Sequence, residues 1–119
     1  MPLVVQKYGG SSLATPELIK SVAGRIAAKQ SSGKVVATVS AMGNSTDDLL
    51  ELASGISNRP DPRELDVLLS TGELQSCALV SMALKALGMK AVSLSGAQAG
   101  IRTTASHGRA KIAGLDPAR

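Results

Sequence analysis

Val35-Val36-Ala37-Thr38-Val39 is an apolar run with no charged residue and no regular polar alternation. A strand with one solvated face alternates, so an uninterrupted run is the pattern of a strand covered on both faces in a parallel sheet. A parallel neighbour needs a crossover of a dozen or more residues, usually a helix. Both parts stand upstream. Leu3-Val4-Val5-Gln6-Lys7-Tyr8 is a short β-prone run ended by Gly9-Gly10, and Thr15-Pro16-Glu17 is a strong helix start with Thr15 as N-cap and Pro16 at the first helical position. Leu18, Ile19, Val22, Ile26 and Ala27 then share a helical face, and Gly33 ends the run. The spacing predicts a strand over 34–40, and the two strands with their helix form a βαβ unit.

Downstream, Ala41-Met42-Gly43-Asn44-Ser45-Thr46 is a second loop at a strand's carboxyl end, feeding a helix through Asp47, Asp48, Leu49, Leu50, Leu52 and Ala53. Asn58-Arg59-Pro60-Asp61-Pro62 is the clearest break and is too short for a domain linker. A long helical region over 63–87 follows, with Ser70-Thr71-Gly72-Glu73 predicting a kink or a place where two helices meet. Gly88 suits its C-terminal cap. A third strand is expected over 90–94. A hairpin is expected over 101–104 and 109–113, turning at Ser106-His107-Gly108. No internal repeat or low-complexity segment interrupts this α/β pattern.

Composition narrows the function. The chain has 119 residues, 44% of them hydrophobic, which fits one globular domain or part of one and excludes disorder for most of its length. The uncharged apolar runs 35–39 and 77–84 fall short of the ~20 residues of a bilayer crossing. The N-terminus carries neither the basic segment nor the long apolar stretch of a secretory signal, so the expected compartment is the cytoplasm, with no membrane partner. Cys77 is the sole cysteine. It excludes an internal disulfide or a multi-cysteine zinc site and reads as a buried, unreactive thiol. The net charge of +4 comes with Tyr8 as the only aromatic residue, so the stacking surfaces of RNA and single-strand binders are missing. That balance suits phosphate or carboxylate ligands rather than nucleic acid.

Three loops at strand ends, 7–12, 40–47 and 95–100, are placed to converge on one crevice, where α/β proteins bind ligands. The first has the physics of an anion site: glycines admit a close backbone approach, amides at a helix start donate, and Lys7 adds a full charge. It is neither a Walker A loop nor G-x-G-x-x-G, and a glycine pair after a strand is also an ordinary tight turn.

Four segments carry a more specific signal: Val5-Gln6-Lys7-Tyr8-Gly9-Gly10-Ser11-Ser12, Val39-Ser40-Ala41-Met42-Gly43-Asn44-Ser45-Thr46-Asp47-Asp48-Leu49-Leu50, Arg63-Glu64-Leu65-Asp66-Val67-Leu68-Leu69-Ser70-Thr71-Gly72-Glu73 and Gly96-Ala97-Gln98-Ala99-Gly100-Ile101. In order and spacing they resemble the signatures of the bacterial aspartokinases, members of the amino-acid kinase family, over residues 3–119. The resemblance implies an amino-acid kinase-like αβα sandwich. Residues 1–119 are then the N-terminal, amino-acid-binding half, with a mainly parallel sheet and a C-terminal β-hairpin. It also implies transfer of the ATP γ-phosphate to the β-carboxylate of L-aspartate, in the route to lysine, threonine and methionine.

By the same resemblance Lys7 contacts the transferring phosphate as the catalytic residue. Tyr8, Gly9, Gly10, Ser11 and Ser40 bind ATP phosphate; Ser40, Thr46, Asp47 and Glu73 line the amino-acid site, Glu73 receiving the substrate ammonium. ATP and Mg²⁺ are the implied cofactors, the metal held through nucleotide phosphates rather than by the protein. Ser40 and Thr46 read alone are equally cap or turn residues, and Glu73 a solvated helix position. Asn44-Ser45 replaces a more frequent Asp-Thr pair, and Leu74-Gln75 departs from the usual order after the glutamate. His107 reads as structural or solvated. The family's nucleotide-binding half and ACT regulatory domains are expected to lie beyond this sequence, so the isolated chain is expected to be inactive. It is also expected to associate through an uncovered sheet edge or as a homo-oligomer. The alternatives are a non-catalytic fragment that binds ligand weakly or assembles with the missing half, and another amino-acid kinase acting on glutamate or acetylglutamate.

Overall fold

The computed structural model describes residues 2–118. Strand β1 (Leu3–Tyr8) leads through a 3-10 turn (Gly10–Leu13) into helix α1 (Pro16–Gln30), and β2 (Lys34–Val39) follows. β1 and β2 pair in parallel, from Leu3 opposite Lys34 to Tyr8 opposite Val39. The crossover helix starts as its sequence dictates: the Thr15 hydroxyl accepts from the Leu18 amide at 3.2 Å, with Pro16 next and Glu17 in the first turn.

α2 (Ser45–Ile56) and α3 (Pro62–Ala86) come next. Asp61 caps α3 by accepting from the Glu64 amide at 3.1 Å. The other end closes in a Schellman motif, in which Gly88 N–H donates to Lys85 at 2.9 Å and Met89 N–H to Leu84 at 3.1 Å. Gly88 has φ +80°, which a side chain would strain.

The core gathers Tyr8, Leu13, Ile19, Val22, Ala23, Ile26, Val80 and Leu84, with Val35, Ala37 and Val39 packed against it. α1 is thus sandwiched between the strands' inner face and α3. α3 passes the length and composition measure of a membrane span, with a mean hydropathy of 1.4 over its best window. It packs against α1, α2 and β2 through Gly72, Ser76, Val80 and Leu84, while Val67, Leu74, Leu79 and Met82 on its other sides are exposed.

Five expectations are corrected. β2 is covered on one face only: Val35, Ala37 and Val39 are half-buried, whereas Val36 and Val5 on the opposite face are exposed. The unbroken apolar run therefore encodes a cover that these residues do not supply. α3 runs through 70–73 without a kink. Gly72 is instead where the second loop and α2 pack closely on α3, and a Cβ there would stand 3.2 Å from the Ala41 methyl and 3.3 Å from a Leu49 methyl. Segment 90–94 forms no strand: its Ala91 packs on the core, but a groove of about 920 Å³ lies between it and β2, out of ladder distance. The hairpin forms as β3 (Ile101–Thr103) and β4 (Ile112–Leu115), the second strand later than expected because Thr103 pairs with Ile112 across a longer connection, and the register then shifts between Thr103 and Arg102. Cys77 is half-buried, since its side of α3 faces that groove rather than the packed core.

Candidate active site at the strand ends

The first two strand-end loops are locked together. The Ser40 amide donates to the Tyr8 carbonyl at 3.2 Å, continuing the ladder one step past the strands, and the Gly43 amide donates to the Gly10 carbonyl at 2.9 Å. A Cβ on Gly10 would lie 2.8 Å from the Ala41 carbonyl oxygen, so the loops close only because residue 10 is glycine. Gly43 has φ +48° and sits against the Ala14 methyl, a second requirement for glycine at this junction. Gly9 is the opposite case: a Cβ there would meet nothing within 4 Å. One glycine of the pair closes the loops and the other leaves open space above the backbone.

Around this junction the expected residues fall into two groups. Lys7 and Ser11 are exposed, Ser40 is half-buried, and Tyr8 is buried with its hydroxyl donating to the Gln6 side chain at 3.0 Å. Tyr8 lies on the core face of β1, its side chain part of the buried cluster. Thr46 and Asp47 are exposed in the first turn of α2. Glu73 is one of the second group, on α3 at the groove's edge, with Ser95, Gly96 and Ala99 of the third loop and with Thr38 of β2. Thr38 is the ladder partner of Lys7, on the face turned away from the core. Lys7 is therefore one strand removed from the groove that carries Glu73.

The electrostatics leave these charges free. Among the described residues the ion pairs are Arg63 with Glu64 and His107 with Asp66, and neither involves Lys7, Asp47 or Glu73. Burial and the Glu73 charge one helical turn away both push the Cys77 thiol up from its ordinary value, keeping it protonated, with Sγ 4.0 Å from the Leu94 carbonyl. A raised thiol has less of the nucleophilic thiolate at neutral pH, here through burial first and repulsion by Glu73 second. Among the described residues no group of three His, Cys, Asp or Glu stands close enough to hold a metal ion.

The arrangement is an exposed lysine beside a glycine turn, two interlocked loops, and an unpaired carboxylate across a groove. Residues 2–117 match the Amino acid kinase family. The chain belongs to that family. Within it, the chain is 56% identical over 120 residues to the aspartokinase of Mycobacterium bovis, covering 100% of this chain and 28% of the relative. It is 53% identical over 117 residues to aspartokinase 2 of Bacillus subtilis, covering 98% of this chain and 29% of that one. The crystal structure of aspartate kinase from Synechocystis superposes with a TM-score of 0.80 at 52% identity, over 84% of this chain and 17% of that one. The α/β kinase fold expected from the four motifs is thereby established. This family member spans about 28% of the length of the curated aspartokinases it matches.

Two positions escaped the sequence reading. Gly43 needs to be glycine for its φ of +48° and for the approach of the Ala14 methyl, and neither is signalled by the residues beside it. Asp66 stands within the third motif with no local signal of a role, and its partners His107 and Gly108 lie about forty residues away.

Proposed function

We propose that the chain forms the amino-acid-binding part of an aspartate kinase, which moves the γ-phosphate of ATP to the β-carboxylate of L-aspartate and so feeds the synthesis of lysine, threonine and methionine. The observation that carries this reading is the junction of the glycine turn with the second loop, with Lys7 unpaired beside it, in a chain more than half identical to aspartokinases. Lys7 neutralises charge on the transferring phosphoryl group; Gly9, Gly10 and Ser11 admit and donate to the phosphates, with Tyr8 and Ser40 beside them. Ser40, Thr46 and Asp47 border the amino-acid site. Glu73 pairs with the substrate ammonium, the natural partner for a carboxylate.

In support of this reading, nothing stands within 4 Å of where a Cβ on Gly9 would lie, which leaves room for a phosphate group to approach the backbone. Mg²⁺, carried on the nucleotide, adds charge neutralisation at the phosphates. Placement in the cytoplasm follows from the same reading, since ATP and free amino acids are its substrates.

The test uses an aspartokinase-length polypeptide in which this chain replaces the matched segment of the Bacillus subtilis relative. Aspartyl phosphate is trapped as its hydroxamate. Lys7→Ala is expected to lower kcat at least ~10-fold, about 1.4 kcal/mol of barrier, while the urea midpoint stays put. A smaller loss would remove Lys7 from the phosphoryl site.

A further inference from the structure

The hairpin that follows the third loop is exposed along both strands, and neither β3 nor β4 packs broadly against a helix. Apolar burial therefore does not hold it in place. Its tip is instead fastened by one side chain: Asp66 Oδ2 accepts from the Gly108 amide at 3.1 Å and lies 3.1 Å from His107 Nδ1. Both side chains are less than half exposed, at 39% and 46%. Asp66 stands seven residues before Glu73 on an unbroken helix, two turns along the same face of α3. Four residues further, Cys77 meets the Leu94 carbonyl. One stripe of α3 thus touches the chain just before the third loop and again at the hairpin tip, and Glu73 sits between those contacts, facing the groove lined by Ser95 and Gly96.

We infer that Asp66 is a positioning residue: by clasping His107 and Gly108 it holds the hairpin on α3 and so fixes the third loop relative to Glu73. The inference rests on the reading of Glu73 as the ammonium partner, and its first test is independent of that reading. Amide hydrogen exchange is followed on the unsubstituted chain and on Asp66→Ala and His107→Ala. Residues 104–112 are expected to exchange about tenfold faster in Asp66→Ala, with α1 unchanged; His107→Ala, which leaves the Gly108 bond, is expected to show a smaller increase. Unchanged exchange at 104–112, or no protection there before substitution, overturns the clasp. If Asp66→Ala also loses protection in α1, its fold has failed and Asp66→Leu, which keeps similar size and has no acceptor oxygen, decides by the same comparison. In the aspartokinase-length polypeptide, whichever of these variants keeps its fold is expected to raise the KM for aspartate several-fold with little change for ATP. Faster exchange without that KM change overturns the positioning role while leaving the clasp. Absence of aspartate-dependent turnover before any substitution marks failure of the functional reading instead.

Discussion

Gly10→Ala separates the two jobs of the glycine pair. The added Cβ would stand 2.8 Å from the Ala41 carbonyl oxygen and 3.3 Å from that of Gly43, both backbone atoms that cannot swing aside. Restoring an ordinary contact of 3.4 Å means opening the junction by 0.6 Å, the difference between 3.4 and 2.8. The Gly43–Gly10 hydrogen bond, now 2.9 Å, would stretch out of range. Its loss costs about 1 kcal/mol and the strain of overpacking about 1–3 kcal/mol, against a gain of about 0.4–1 kcal/mol from a stiffer unfolded chain. The unfavourable terms win, by about 1–3 kcal/mol. Gly9→Ala is the control: its backbone is extended at φ −81° and ψ 171°, which alanine adopts freely, and its Cβ meets nothing within 4 Å. With no tryptophan and one tyrosine in the chain, far-UV circular dichroism in urea is the suitable assay. Gly10→Ala should lower the midpoint by roughly 1 M at a slope typical of small domains, whereas Gly9→Ala should hold or raise it. In the aspartokinase-length polypeptide, Gly9→Ala should weaken ATP use because its methyl fills the phosphate space. Equal midpoints for the two variants would refute the steric argument.

Glu73→Gln removes only a charge, so it should raise the aspartate KM about 10-fold or more and leave the ATP KM nearly unchanged, as steady-state kinetics would show. The Cys77 thiol is raised in the fold by burial and then by Glu73, so the folded state holds its proton longer than the unfolded chain does. That contribution is fully present below the ordinary thiol value of about 8.5 and is lost as pH rises above it. The urea midpoint under reducing conditions should therefore fall between pH 7.5 and 9.5, and fall less in Cys77→Ala.

What the sequence makes legible here is local. Thr15-Pro16-Glu17 and Gly88 state a helix start and a helix end within a few residues of themselves, and the structure places both caps there. The pairing of β1 with β2 follows from one crossover and a matched length. Segment 90–94 has strand-like composition, yet strand formation depends on a neighbour within ladder distance, which composition does not encode. Gly72 reads as a helix breaker because propensity is an intrinsic measure, whereas its reason for being glycine is the second loop and α2, more than twenty residues upstream. At the site, Lys7, Gly9 and Gly10 are adjacent in sequence and so legible together. The approach of the second loop to Gly10 and the hold of Asp66 on the hairpin are long-range, and no spacing rule signals them.

The apolar run of β2 carries one statement the described residues do not satisfy. Val36 is 47% exposed, and Val5, its ladder partner, is 65% exposed, with Leu3 at 62% on the same face of β1. A valine on a solvated strand face keeps its strand propensity but forgoes part of the about 1.5–3 kcal/mol that full burial would supply. A polar alternation would satisfy a sheet covered on one side, and Lys7 and Thr38 show that polar residues are accepted on this same face at its carboxyl end. The face is mixed along its length: Leu3 stands opposite Lys34, Val5 opposite Val36 and Lys7 opposite Thr38, so its apolar character centres on the valine pair, and both strands are polar where they reach the glycine turn. The wetted end of this face is therefore the end beside the candidate site.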